Sequence, residues 1–208
     1  MLACAHPVLT FDAPTHTYRF GGVVVPSVTQ VLDCACRFDF ITQEQLQDAQ
    51  ARGTYVHQLC ELSDLDELDD EAEQGGEHWP RLLAWRRFCL DYGANFSAIE
   101  TIGYSKLYGF AGTVDRRATL ELVSPTDKWV IDVKSSEAIG KTWGPQTAAY
   151  KQIAMEEDPS WALARRATVR LLADGRYKFD EFKSRDDWKV FSAMLTLNHW
   201  SKTNHVLD

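Results

Sequence analysis

The period of the apolar positions changes several times along the chain, and each change marks an element. His16 to Phe20 and Val23 to Val25 are short β-branched and aromatic runs on either side of Gly21-Gly22, the pattern of a hairpin. Pro26-Ser27-Val28-Thr29-Gln30 then opens a helix, because Ser27 and Gln30 have the spacing of a reciprocal cap. Thr42-x-x-Gln45 repeats that signature ahead of a longer helix to about Leu62. Its stripe Leu46, Ala49, Gly53, Val56 and Cys60 keeps the three-to-four spacing of a core-facing surface. Trp79 to Tyr92 is a third helix, with Leu82, Leu83, Trp85, Phe88 and Cys89 as its apolar positions, and Gly93-Ala94-Asn95 closes it.

The pattern then turns to strands. Phe96 to Tyr104, Gly109 to Val123 and Lys128 to Lys134 are rich in β-branched and aromatic residues, and they predict three antiparallel strands. Gly109 and the turn sequence Ser124-Pro125-Thr126-Asp127 divide them. Lys141 to Glu157 is a helix that stops before Pro159. Arg166 to Leu172 and Tyr177 to Lys183 form a hairpin around Asp174-Gly175, and Asp186 to Thr203 is a closing helix. No repeat and no second domain is visible. The order predicts one α/β domain over residues 1–208, with a central mixed sheet flanked by helices.

Composition changes this picture in only a few places. A chain of 208 residues can bury one sizeable core, and no apolar run approaches a membrane span. Met1 to Pro7 lacks the basic and apolar regions of a signal peptide, which predicts a cytoplasmic protein with no membrane partner. The five cysteines (Cys4, Cys34, Cys36, Cys60, Cys89) include no Cys-x-x-Cys pair and read as reduced, mostly buried thiols.

The net charge of −8 argues against a nucleic-acid binder until its distribution is considered. Eight acids and no base lie between Asp64 and Glu77. Taking those eight from the 30 acidic residues leaves 22, equal to the 22 basic ones. The excess is one local run, expected to be a solvated linker or loop over about residues 63–78. It is no calcium loop, since Asp64-x-Asp66 lacks the ligand and glycine that should follow.

The candidate chemistry lies in Gly112-Thr113-Val114-Asp115, Trp129 to Lys134, and Gln146 with Tyr150. Acid-x-Lys occurs three times, at Asp132, Glu181 and Asp187, but only Asp132-Val133-Lys134 ends an apolar run and precedes a helix with a polar i, i+4 pair. The other two read as an exposed strand face and a helix surface. On a strand Asp132 and Lys134 share a face about 6.5–7 Å apart, room for one cation and one water. Asp115 on the neighbouring strand can add a second carboxylate, or can pair with Lys134 as a plain cross-strand ion pair. Two carboxylates and an ammonium are the equipment of metal-assisted phosphodiester hydrolysis.

These residues resemble the PD-(D/E)xK nuclease superfamily, and within it the RecB-like and phage exonuclease branch. Arg52-Gly53-Thr54-Tyr55-Val56-His57, Gly112 to Asp115, Asp132-Val133-Lys134 and Gln146 with Tyr150 match its four motifs in order. The resemblance spans roughly Arg52 to Tyr150, and His16 to Leu32 is also similar to phage members. It implies a restriction-endonuclease-like core and a metal-dependent DNA exonuclease acting in recombination or DNA processing. Asp115 and Asp132 would hold Mg²⁺ or Mn²⁺, helped by the Val133 carbonyl and by His57. Lys134 would orient or deprotonate the attacking water, and Gln146 and Tyr150 would hold the site or the DNA strand. Glu100 is a helper for a second cation or an exposed strand acid. Arg52, Lys141 and Lys151 flank the motifs, either as phosphate contacts or as solvated charges.

The four-cysteine iron–sulfur cluster of some members has no counterpart after Tyr150, and no phosphate-binding loop of a motor occurs, so neither is expected. DNA is the implied partner, with a single-strand annealing or recombination protein and a homo-oligomer as further expectations. The rival readings are a structure- or sequence-specific endonuclease on the same fold and a non-catalytic acidic protein that mimics DNA through Asp64 to Glu77.

Overall fold

The structure is a computed structural model and describes residues 7–33 and 42–204. A small antiparallel sheet comes first, in the order β1 (Leu9–Asp12), β2 (Thr17–Phe20), β3 (Val23–Val25). The β2–β3 hairpin turns through Gly21 and Gly22, both at positive φ, where glycine avoids the Cβ clash. β1 is an addition to the sequence expectation. Leu9 and Phe11 are its only large apolar residues, and it is held by pairing with β2, Leu9 opposite Phe20. Helix α1 (Val28–Asp33) is capped as expected: the Ser27 hydroxyl accepts the Gln30 N–H while Gln30 Oε1 accepts the Ser27 N–H. Helix α2 (Gln43–Asp64) starts with the Thr42–Gln45 capping box.

The segment expected to be a solvated linker is more ordered than its composition suggests. α2 runs on to Asp64, and Asp69 caps a single helical turn, α3 (Asp70–Glu73). Asp64 is not solvated: it accepts from the Trp85 indole at 2.8 Å and from Arg116 Nε at 2.7 Å. Asp70 takes Arg86 in a bidentate pair. α4 (Trp79–Tyr92) ends on Gly93 in the left-handed conformation.

The main sheet has the order β4 (Ala94–Ser105), β5 (Phe110–Leu120), β6 (Ser124–Lys134), β7 (Arg165–Leu171), β8 (Tyr177–Glu181). All neighbours are antiparallel except β6 and β7, which are parallel and joined across α5 (Trp143–Glu157). The architecture is therefore α/β with a mixed central sheet flanked by helices. The turn between β5 and β6 is Glu121–Val123; Ser124 to Asp127 already belong to β6, where Ser124 pairs with Leu120. The closing helix α6 spans Asp186–Asn204. Among the described residues no helix is long and apolar enough to cross a membrane.

The sheet has a core on each face. On one, Val130 and Val114 pack with Ala149 and Ile153 of α5, Val31 of α1 and Phe191 of α6. On the other, Ile131 and Val133 pack with Val56 of α2 and with Trp85 and Phe88 of α4. Gly103 lets α5 approach β4 closely, since a Cβ there would lie 2.2 Å from Ile153. Gly112 does the same for Tyr150 and Val28, each of which a Cβ would meet at 3.0 Å. Cys60 is buried and Cys89 half-buried, both as free thiols; Cys4, Cys34 and Cys36 lie outside the described residues.

Candidate metal centre

β5 and β6 pair only as far as Arg116 opposite Ile131. Beyond that point Asp132, Val133 and Lys134 pair with β7 instead. Where the ladder stops, Asp115 Oδ2 accepts the Val133 N–H at 2.7 Å, so a carboxylate replaces a main-chain acceptor between the parting strands. Glu100 lies on β4 between the pairs Ile99–Arg116 and Thr101–Val114 with φ +43°. A left-handed non-glycine residue costs about 1–3 kcal/mol, a strain that concentrates at functional sites.

The parting strands open a cavity of about 640 Å³ lined by His57, Glu100, Asp115, Asp132, Lys134, Gln146 and Tyr150. The ligand atoms of His57, Glu100 and Asp115 lie within 4.8 Å of one another. His57 Nδ1 stands 3.5 Å from Glu100 Oε1 and 3.5 Å from Asp115 Oδ2, and its Nε2 is 2.8 Å from the Val133 carbonyl. Asp132 is outside this close group. Its Oδ2 lies 2.7 Å from Lys134 Nζ without a well-directed hydrogen bond, and Asp132 is 1% exposed. The expected gap between Asp132 and Lys134 is thus closed by direct contact, and the cross-strand pairing of Asp115 with Lys134 is not what forms. Lys134 Nζ also donates to Gln146 Oε1 at 3.1 Å, and Gln146 Nε2 donates to Tyr150 Oη at 3.0 Å. The i, i+4 spacing on α5 stacks Gln146 and Tyr150 against the ends of β5 and β6.

The carboxylates of the cavity shift one another's protons and that of His57. Burial pushes Asp115 up to about 7; the neighbouring Asp132 and Glu100 add to the rise, while His57 and Lys134 oppose it. Burial works against the His57 imidazolium, yet Asp115, Glu100 and Asp132 outweigh it and raise His57 to about 9. Burial also opposes ionised Glu100, but His57 and Arg116 hold it below its ordinary value. An imidazolium proton faces the carboxylates where a metal ion would place its charge. The Glu100 and Asp115 carboxylates, one imidazole nitrogen and the buried, poorly bonded Asp132 oxygen form a donor set that fits Mg²⁺ or, with its nitrogen, Mn²⁺.

A pH dependence follows. In the ion-free protein the His57 contact contributes stability that is complete below about 6.5 and is lost as pH rises through about 9. Mn²⁺ must displace the protons on His57 and Asp115, so its affinity is expected to rise from pH 6 to 8, by up to about tenfold per unit for each proton released. Calorimetry in two buffers of different ionisation enthalpy measures both affinity and proton release. A flat affinity without proton release would remove both residues from the ligand set.

Several participants were not visible in the sequence. Phe11, His16 and Tyr18 of the small sheet and Thr29 of α1 line the same cavity, with Phe11 stacked on Tyr18 at 4.5 Å between ring centroids. Arg116 is fully buried and binds Asp64 Oδ2 through Nε at 2.7 Å and Glu100 Oε1 through Nη1 at 2.9 Å, fixing Glu100 from behind. Arg81 on α4 is 8% exposed and has no polar partner for its guanidinium among the described residues. Burial, then the nearby Arg52 cation, depresses it. Arg52 precedes Gly53, which lines the cavity. Buried arginines and left-handed acids carry no signal in a single sequence, because each depends on residues far away in the chain. The other acid-x-Lys pairs are structural: Glu181 binds Arg165 and Lys183, and Asp187 binds Arg166.

No family model matches the sequence, and a search of curated proteins finds no match to it.

Proposed function

We propose that this chain is a metal-dependent deoxyribonuclease with the restriction-endonuclease-like core of the PD-(D/E)xK nucleases, acting as a RecB-like exonuclease in DNA recombination or processing. The observation that carries this reading is one cavity in which His57, Glu100, Asp115 and Asp132 meet a lysine fixed by Gln146. His57, Glu100, Asp115 and Asp132 would hold the ion, which would supply Lewis-acid stabilisation and a more acidic bound water. Lys134 is held at the end of β6 by Asp132 and Gln146, where its ammonium orients the attacking water and carries charge on the phosphate. Tyr150 fixes Gln146, and therefore the lysine, from the next turn of α5. Arg52, half-buried beside Gly53, would neutralise a backbone phosphate of the strand led to the cavity. The acidic run is a poor DNA mimic, because Asp64 and Asp70 spend their charge on Arg116 and Arg86.

The experiment is incubation of linear duplex, single-stranded and covalently closed circular DNA with the protein in Mn²⁺, in Mg²⁺ and in excess chelator. Linear DNA is expected to yield acid-soluble nucleotides only with metal, and the closed circle to stay intact. Cleavage of the closed circle would make the protein an endonuclease. No metal-dependent cleavage of any substrate would overturn the proposal.

A further inference from the structure

A second cavity, of about 470 Å³, lies on the opposite side of α5 from the candidate metal centre, and its charge is unlike that of the chain as a whole. Five cations line it, Lys151, Arg165, Arg166, Lys183 and Arg185, against one carboxylate, Glu181, in a protein of net charge −8. Some of that charge is spent. Arg165 and Lys183 share Glu181, and Arg166 pairs with Asp187 while donating to the Gly144 and Ser184 carbonyls. Lys151 and Arg185 have no hydrogen-bond or ion-pair partner among the described residues. Lys151 is half-buried; burial depresses it, the adjacent Arg166 cation depresses it further, and no carboxylate counteracts either.

The walls between these charges are apolar: Met155 and Ala148 from α5, Ala164 ahead of β7, and Trp188 from α6. The volume is that of an ordinary small-molecule site, which pairs apolar walls with a few polar groups that fix orientation. Several convergent cations suit a phosphoryl group, with its charge of about −1.5 to −2, better than a single carboxylate. Arg166 is held in place by its three partners, so it forms a rigid floor, while Lys151 and Arg185 supply unspent charge.

We propose that this cavity is a binding site for a nucleoside monophosphate, its phosphate on Lys151 and Arg185 and its base against Met155 and Trp188. The site is separate from the metal centre and does not rest on the nuclease reading. The phosphate has two possible sources, a free nucleotide or a terminal nucleotide of a strand, and both present the same chemistry.

The test is calorimetric titration of metal-stripped, full-length protein, in chelator- and phosphate-free buffer, with deoxyadenosine 5′-monophosphate, deoxyadenosine, inorganic phosphate and 5′-phosphorylated tetrathymidylate. The monophosphate is expected to bind, inorganic phosphate more weakly, and deoxyadenosine weakest. Lys151→Met, which keeps the apolar stem, and the exposed Arg185→Ala should each weaken monophosphate binding about tenfold, with unchanged circular dichroism and melting temperature. Tighter binding of the tetranucleotide would identify the strand as the source. Asp115→Asn should bind the monophosphate as the wild type does, which separates this site from the metal centre. Equal binding of deoxyadenosine and its monophosphate, no binding of the monophosphate, or undiminished binding in both folded variants would overturn the proposal.

Discussion

Asp132→Asn is expected to lower DNA hydrolysis by on the order of a thousandfold or more while leaving the ion-free protein as stable as the wild type. The two halves of this expectation have one cause. Asp132 is almost wholly buried and adds to the rise of the Asp115 carboxyl, so its charge repels that of Asp115 even as it meets Lys134. Asparagine keeps the shape and removes the charge; repulsion falls, and so does affinity for the cation. Lys134→Met separates binding from turnover: Mn²⁺ affinity should persist, because the ligand atoms remain, while hydrolysis is lost with the ammonium beside Asp132 and Gln146. Hydrolysis rates, Mn²⁺ calorimetry and melting temperatures of both variants check this. A wild-type rate in Asp132→Asn would remove hydrolysis from this site, and a large drop in its melting temperature would mean that unfolding, rather than chemistry, explains the loss.

What could be read in the sequence was what depends on near neighbours. Ser27–Gln30 and Thr42–Gln45 are spaced for reciprocal capping, and both boxes form. Asp174-Gly175 turns the β7–β8 hairpin because Gly175 needs positive φ. The alternation in Trp129 to Lys134 correctly separates the face with Ile131 and Val133 from the face with Asp132 and Lys134. The turn after β5 was displaced by three residues, since Ser124-Pro125-Thr126-Asp127 has turn composition yet pairs as an edge of β6 once Leu120 faces Ser124. The solvated reading of Asp64 failed for a comparable reason: its partner Arg116 is 52 residues away. The close ligand group shows the same limit. His57, Asp115 and Asp132 were singled out by motif and Glu100 as a helper for a second cation, but Glu100 reaches the His57–Asp115 pair through a left-handed backbone and an arginine behind it, neither of which has a local signature.

That arginine carries the largest expected effect on stability. Arg116 is wholly buried, beside the stacked rings of Trp85 and Phe96, with its charge divided between Asp64 and Glu100. Arg116→Met preserves most of the volume but strands two acids, and breaking a buried pair by removing one partner costs about 3–5 kcal/mol. The pH dependence distinguishes this from a packing defect. Burial already raises Asp64 despite Arg116, and without the arginine Asp64 rises further above its unfolded value while Glu100 loses one of the two cations that hold it down. A carboxyl raised in the folded state costs nothing while both states are protonated, and its penalty grows as pH rises from the unfolded to the folded value. The deficit of the variant in urea unfolding should therefore be larger at pH 8 than at pH 5. Adding Asp64→Asn and Glu100→Gln to Arg116→Met should recover much of it, since the triple variant buries no net charge. A deficit under about 1 kcal/mol that does not change with pH would show that Glu100 keeps its left-handed position without the arginine. The alignment of the ligand group would then depend on His57 and Asp115 alone.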